Sequence, residues 1–98
     1  MDDATMAGVA RALAHPARLQ ILHLLAKQTE CRGADVFGEL PLAQSTVSEH
    51  IRVLREAGLV NATPVGTRTV YCLVPGVLEA YLDAVQDVLS TCPSCQRG

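Results

Sequence analysis

Apolar positions in residues 42–59 recur with the period of a helix: Val47, Ile51 and Leu54 fall at i, i+4 and i+7 and form one stripe. Gln44, Ser45, Ser48, Glu49, Arg52 and Arg55 lie on its other faces, so one side of this helix is set to pack and the other to read a partner. Gly58 follows the stripe and can take the left-handed conformation that closes a helix before Leu59, and Arg55 in the last turn suits the negative end of the helix dipole. Short hydroxyl and amide side chains at the start (Gln44, Ser45, Thr46, Ser48), followed by Arg52 and Arg55, suit a helix whose N-terminal end meets base edges and phosphates in a DNA major groove. His50 on the same helix is expected to touch phosphate.

Before this stretch, Met6, Val9, Ala10 and Leu13 are spaced for one face of a first helix over residues 4–14, stopped by Pro16. Pro16 opens the next helix, where Leu19, Ile21, Leu22, Leu24 and Leu25 are apolar around most of the circumference, which places that helix in the core. Residues 28–33 read as a connection, and residues 34–40 as a short helix with Val36, Phe37 and Leu40 turned inward. With Pro41 as the break, a short helix, a turn and a helix with polar outward residues make a helix-turn-helix. After Gly58, residues 59–65 and 67–74 are rich in β-branched side chains and predict a hairpin, with Tyr71 and Leu73 on one side and Val70, Cys72 and Val74 on the other. Arg68, near the tip, is placed to reach DNA backbone or a minor groove as a wing residue does. Pro75 begins a last helix whose stripe of Val77, Leu78, Tyr81, Leu82, Val85, Val88 and Leu89 opposes Glu79, Asp83 and Asp87.

Composition narrows the architecture. The chain has 98 residues, 49% of them hydrophobic but only 3% aromatic, which fits one domain with a core of Leu, Val and Ala from packed helices. A domain this small gains from a partner that extends its core, and a two-fold dimer joined through the last helix would space two recognition helices for a palindromic site. The expectation is a mainly α, homodimeric winged helix-turn-helix: residues 1–98 form a single DNA-binding domain with a C-terminal dimerisation helix and a cysteine-containing tail. The net charge of −2 does not itself favour nucleic acid, but the acids Glu79, Asp83 and Asp87 sit away from the proposed DNA face. No stretch is apolar enough to span a bilayer and the Met-Asp-Asp start is acidic where a signal peptide would be basic, so a cytoplasmic chain without membrane contact is expected. In a reducing compartment four cysteines read as thiols for metal, metalloid or redox chemistry rather than as a disulfide framework. No set of nucleophile, base and oxyanion donors is discernible, which argues against an enzyme.

Three segments carry a resemblance: Leu-Ala-His-Pro-Ala-Arg-Leu-Gln-Ile-Leu (13–22), Leu-Ala-Gln-Ser-Thr-Val-Ser-Glu-His-Ile-Arg-Val-Leu-Arg-Glu-Ala-Gly-Leu-Val (42–60) and Gly-Thr-Arg-Thr-Val-Tyr-Cys-Leu (66–73). In this order they resemble the ArsR/SmtB family of bacterial metal-responsive repressors. The resemblance covers nearly the whole chain and implies a winged-helix homodimer that occupies double-stranded operator DNA and leaves it when an inducer binds. It does not fix the inducer. The family's zinc-type site uses carboxylate and His ligands on the last helix; Asp83 and Asp87 are one turn apart there, but that helix has no His, so a solvated acidic face is expected instead. A Cys-x-Cys pattern at the start of the family's third helix is broken here, with Cys31 near the first position and Gly33 in the second.

In the tail sequence Cys92-Pro93-Ser94-Cys95, Pro93 ends the helix and lets two sulfurs converge on one soft ion. The expected inducer is therefore trivalent arsenic or antimony (arsenite or antimonite) on Cys92 and Cys95, with Cys31 or Cys72 as a third thiolate, and with no organic cofactor. Cys72 fits the role of a small buried wing residue better than that of a ligand. The alternative sensor is redox, a disulfide or persulfide bridge, which would have to tie a tail cysteine to Cys31 or Cys72 to constrain the fold. Thiol–disulfide oxidoreductase chemistry is a further alternative suggested by Cys-Pro-Ser-Cys, but such motifs follow a strand and start a helix, whereas this one follows a helix.

Overall fold

The computed structural model describes residues 1–28 and 30–92. Helix α1 (Asp3–Leu13) starts at Asp2, whose carboxylate accepts the Thr5 N–H at 2.7 Å. Helix α2 (Pro16–Lys27) begins with the proline the sequence places there, and His15 caps it, its Nδ1 accepting the Ala17 N–H at 3.1 Å. The apolar run of α2 buries Ala17, Ile21, Leu22, Leu24 and Leu25, while Leu19 stays exposed.

The segment read as a plain connection contains a two-residue strand, β1 (Arg32–Gly33). The expected helix over residues 34–40 is a 3-10 helix, Ala34–Glu39. Six residues with a break at Pro41 allow little more than tight i→i+3 turns, and the last, Leu40 N–H to Phe37 O, closes at 3.1 Å. Val36 and Phe37 still turn inward, as their spacing predicts.

Helix α3 (Gln44–Glu56) buries Val47, Ile51 and Leu54. Its end is a Schellman closure: Gly58, at φ +80°, donates to Arg55 O at 2.9 Å, and Leu59 donates to Leu54 O at 3.0 Å. Leu54 and Leu59 are themselves fully buried, so the closure drives the chain straight back into the core. Strands β2 (Val60–Val65) and β3 (Arg68–Leu73) then form the hairpin, turning through Gly66 at φ +63°.

The sheet order is β1-β3-β2, all antiparallel, with Ala62 and Arg32 both opposite Tyr71. Tyr71 and Leu73 pack on the core as the alternation requires, and Tyr71 meets Phe37 edge-on at 5.5 Å. Pro64 is accommodated because β2 is an edge strand. Val74 donates to Leu59 O at 2.9 Å, tying the end of the hairpin to its start before helix α4 (Pro75–Ser90) leaves the body. Val77, Leu78 and Tyr81 of α4 rest on the core, but no α4 residue is buried, and Leu82, Val88 and Leu89 are more than half exposed. No helix among the described residues is long and apolar enough to cross a membrane.

Candidate nucleic-acid interface and cysteine pair

The packing of Val47, Ile51 and Leu54 rotates α3 so that Gln44, Ser45, Thr46, Ser48, Arg52 and Arg55 are all exposed. Ala43 precedes the helix without a side-chain cap, so the first-turn N–H groups are not occupied by a capping side chain and point outward beside Gln44, Ser45 and Thr46. Polar side chains and backbone donors at one helix N-terminus are a suitable face for phosphate oxygens and base edges.

The two arginines of α3 are not equivalent. Arg52 donates through Nη2 and Nε to Glu49 and through Nη1 to Glu56 Oε2 at 2.6 Å. These bonds hold the Glu49 carboxyl below its ordinary range and push the guanidinium of Arg52 further toward its charged form. Arg55 makes no ion pair among the described residues. Arg68 stands at the start of β3 near the hairpin tip, as the sequence indicates, but its side chain reaches back along the sheet. Its Nη2 lies 3.7 Å from Asp35 Oδ1, directly over Gly33, where any Cβ would collide with the guanidinium.

His50 corrects the expectation of a phosphate contact. It is 8% exposed and faces α2, because it follows the apolar positions one turn on from Val47. Its ring lies 4.4 Å from that of His15, and its Nδ1 accepts Arg18 Nε–H at 3.2 Å. Arg18 also donates to Arg11 O at 3.2 Å and Ala12 O at 3.5 Å. One guanidinium thus ties the end of α1 and the start of α2 to the recognition helix. Burial, then the neighbouring His15 and Arg18 charges, hold the His50 imidazole below its ordinary pKa, which leaves Nδ1 free to accept. Sequence reasoning missed this junction, in which Arg18 and His50 lie 32 residues apart.

The cysteines also divide differently from the expectation. Cys31 and Cys72 are bonded to each other as a disulfide, with Cα atoms 4.8 Å apart and a sequence separation of 41. They occupy the next antiparallel position beyond the Arg32–Tyr71 pair, so the register itself places them face to face. The redox bridge expected from the sequence joined the tail to Cys31 or Cys72, because β1, and hence this register, is not visible in the residue pattern. The pair borders an open cleft of about 270 Å³ whose walls include Leu25, Glu30 and Pro75. Cys92 follows α4, its N–H donating to Leu89 O at 3.2 Å, whereas Cys95 lies outside the described residues. Among the described residues no group of three or more His, Cys, Asp or Glu side chains is placed to hold a metal ion, and Asp83 and Asp87 are both exposed.

Residues 15–62 match the model of the bacterial regulatory proteins of the arsR family. The transcriptional regulator CmtR of Mycobacterium tuberculosis is 37% identical over 91 residues, covering 92% of this chain and 76% of that protein. Among solved structures, the homodimeric winged helix-turn-helix DNA-binding domain of a possible ArsR-family regulator from Mycobacterium bovis superposes with a TM-score of 0.69 at 30% identity, covering 89% of this chain and 88% of that one. A possible transcriptional regulator for arsenical resistance superposes with a TM-score of 0.67 at 33% identity, covering 80% and 79%. The helix-turn-helix, the wing and these relatives agree: the chain belongs to the ArsR family of winged helix-turn-helix transcriptional regulators, and is not an enzyme.

Proposed function

We propose that this regulator is a repressor that binds operator DNA as a homodimer, reading the major groove with Gln44, Ser45, Thr46 and Ser48 and holding the backbone with Arg55, Arg68 and, secondarily, Arg52. The carrying observation is the exposed, uncapped N-terminal end of α3, presented by a helix whose opposite face is buried. The dimer reading is supported by the uncovered apolar face of α4 and by the M. bovis relative, a homodimer.

Derepression, in this reading, follows from trivalent arsenic or antimony bound by the Cys92 and Cys95 thiolates. The likeness to a possible regulator for arsenical resistance supports it, as does the affinity of paired thiolates for soft ions. Cys92 is itself disulfide-bonded and Cys31 and Cys72 are bonded to each other, so any of these sulfurs serves as a ligand only after reduction, with Cys31 or Cys72 then available as the third. A coupling of about 1–3 kcal/mol would weaken operator binding about 5- to 150-fold. The test is fluorescence anisotropy of the reduced protein on its own promoter DNA, with arsenite, cadmium, zinc and an organic persulfide added separately. Release by arsenite that is lost in Cys92→Ser and Cys95→Ser, with DNA binding kept, is the expected result; arsenite release surviving in both variants overturns the assignment. The Cys31–Cys72 bond favours a second reading, a thiol redox regulator, and release only by persulfide, reversed by reductant, would establish it.

A further inference from the structure

We propose that the Cys31–Cys72 pair is an oxidation site for hydroperoxides that controls the grip of the wing on DNA through Arg68. The proposal rests on the DNA-binding reading above and on no tail cysteine.

The bond joins β3 of the wing to Cys31, the residue immediately before β1, which leads directly into the 3-10 helix and α3. Without it, β1 is a strand of two residues, held to β3 by the short register Arg32–Tyr71 and Gly33–Val70. A two-residue edge strand has few ladder bonds to keep it in place, so the covalent link decides whether it stays docked. Docking has a direct consequence for Arg68. Gly33 forms the floor beneath its guanidinium and Asp35, two residues on, is its carboxylate partner. With the bond closed, Gly33 and Asp35 are fixed under Arg68, which is turned along the sheet toward the 3-10 helix. With the bond open, β1 can lift, the exposed pair at 3.7 Å separates, and Arg68 is released at the hairpin tip where a phosphate can take the place of Asp35.

The chemistry balances. One thiolate attacks a peroxide oxygen, giving a sulfenic acid and an alcohol or water; the second thiolate attacks that sulfur and expels hydroxide, which is protonated to water. Two thiols lose two electrons and two protons as the S–S bond forms, and the O–O bond is reduced. A dithiol reductant reverses it. Cys31 is exposed and Cys72 half-buried beside a cleft open to solvent, which admits a small oxidant, and Glu30 on the cleft wall favours a neutral one.

The experiment measures operator affinity against salt for protein treated with peroxide or with dithiothreitol, the bridge being located by peptide mass analysis. Each phosphate contact contributes about 0.9 to the slope of log affinity against log salt, so a dimer that regains two Arg68 contacts should show a slope steeper by about 2 when reduced. Asp35→Asn should give the steeper slope even when oxidised, and Cys72→Ser should show one slope under both treatments. Equal slopes for the bridged and reduced wild-type protein overturn the proposal, as does a peroxide response that persists in Cys72→Ser. Failure of both forms to prefer operator over unrelated DNA overturns the DNA-binding reading itself.

Discussion

His50 occupies a place where a proton is unfavourable, between the His15 ring and the Arg18 guanidinium, with the Glu49 carboxylate the one neighbouring charge that opposes the shift. The unfolded chain protonates this imidazole near 6.5 and the folded chain only at lower pH, so the stabilisation is complete above about 6.5 and is lost as pH falls below it. Urea midpoints should therefore be lower at about pH 5.5 than at about pH 7.5, with the difference reduced in His50→Gln. On the outer side of the same helix, Arg55→Ala should weaken operator binding and lower the salt slope by about 1 per protomer, whereas Arg52→Ala, whose charge is already spent on two carboxylates, should do so less. Anisotropy titrations at several salt concentrations separate the two. At this scale the sequence told which α3 residues face outward, His50 excepted, but not how they are occupied. Glu49 and Glu56 lie three and four residues from Arg52, a spacing that is legible; the Arg18–His50 and Arg68–Asp35 contacts depend on chain segments brought together only by the fold.

Among the elements, α3 and its termination were the most legible, since the stripe of Val47, Ile51 and Leu54 and the glycine at position 58 encode them locally. β1 was illegible for a physical reason: two residues carry no periodicity, and what makes them a strand is β3, almost forty residues away in the chain. The 3-10 helix has the inward residues of the expected α-helix, because over six residues the two geometries bury similar positions. The bond between β1 and β3 closes a loop of 41 residues, for which restriction of the unfolded chain is worth up to about 4 kcal/mol. Reduction should thus lower the urea midpoint of the wild-type protein and leave that of Cys72→Ser where it is. If both fall equally, the stabilising bond lies elsewhere.

Among the described residues, α4 presents an apolar face that nothing covers. Leu82, Val88 and Leu89 of α4 are 59%, 61% and 52% exposed, and these were the stripe positions from which the sequence suggested a partner. Replacing Leu82 and Leu89 by glutamate should yield a monomer in sedimentation velocity and a sharp loss of operator affinity, because a single half-site forfeits the second set of contacts. A dimer that survives both changes would place the interface on another face. The acidic side chains Glu79, Asp83 and Asp87 of α4 are exposed beside this surface, whereas on α3 the carboxylates Glu49 and Glu56 are paired with Arg52.

The position of Pro64 has a consequence for how such a molecule survives in quantity. Val65 and Arg68 flank the two-residue turn, so the pair next to them, Pro64 and Thr69, is one whose backbone groups point away from the partner strand. The missing donor therefore falls on the outer border of the hairpin, where another chain would otherwise add itself strand to strand. Pro64→Thr should fold normally yet cluster over time as concentration rises, visible as growing light scattering; unchanged scattering would mean that the border is guarded by something else. A protruding arm meant for nucleic acid is in this way kept from becoming a seed for fibres.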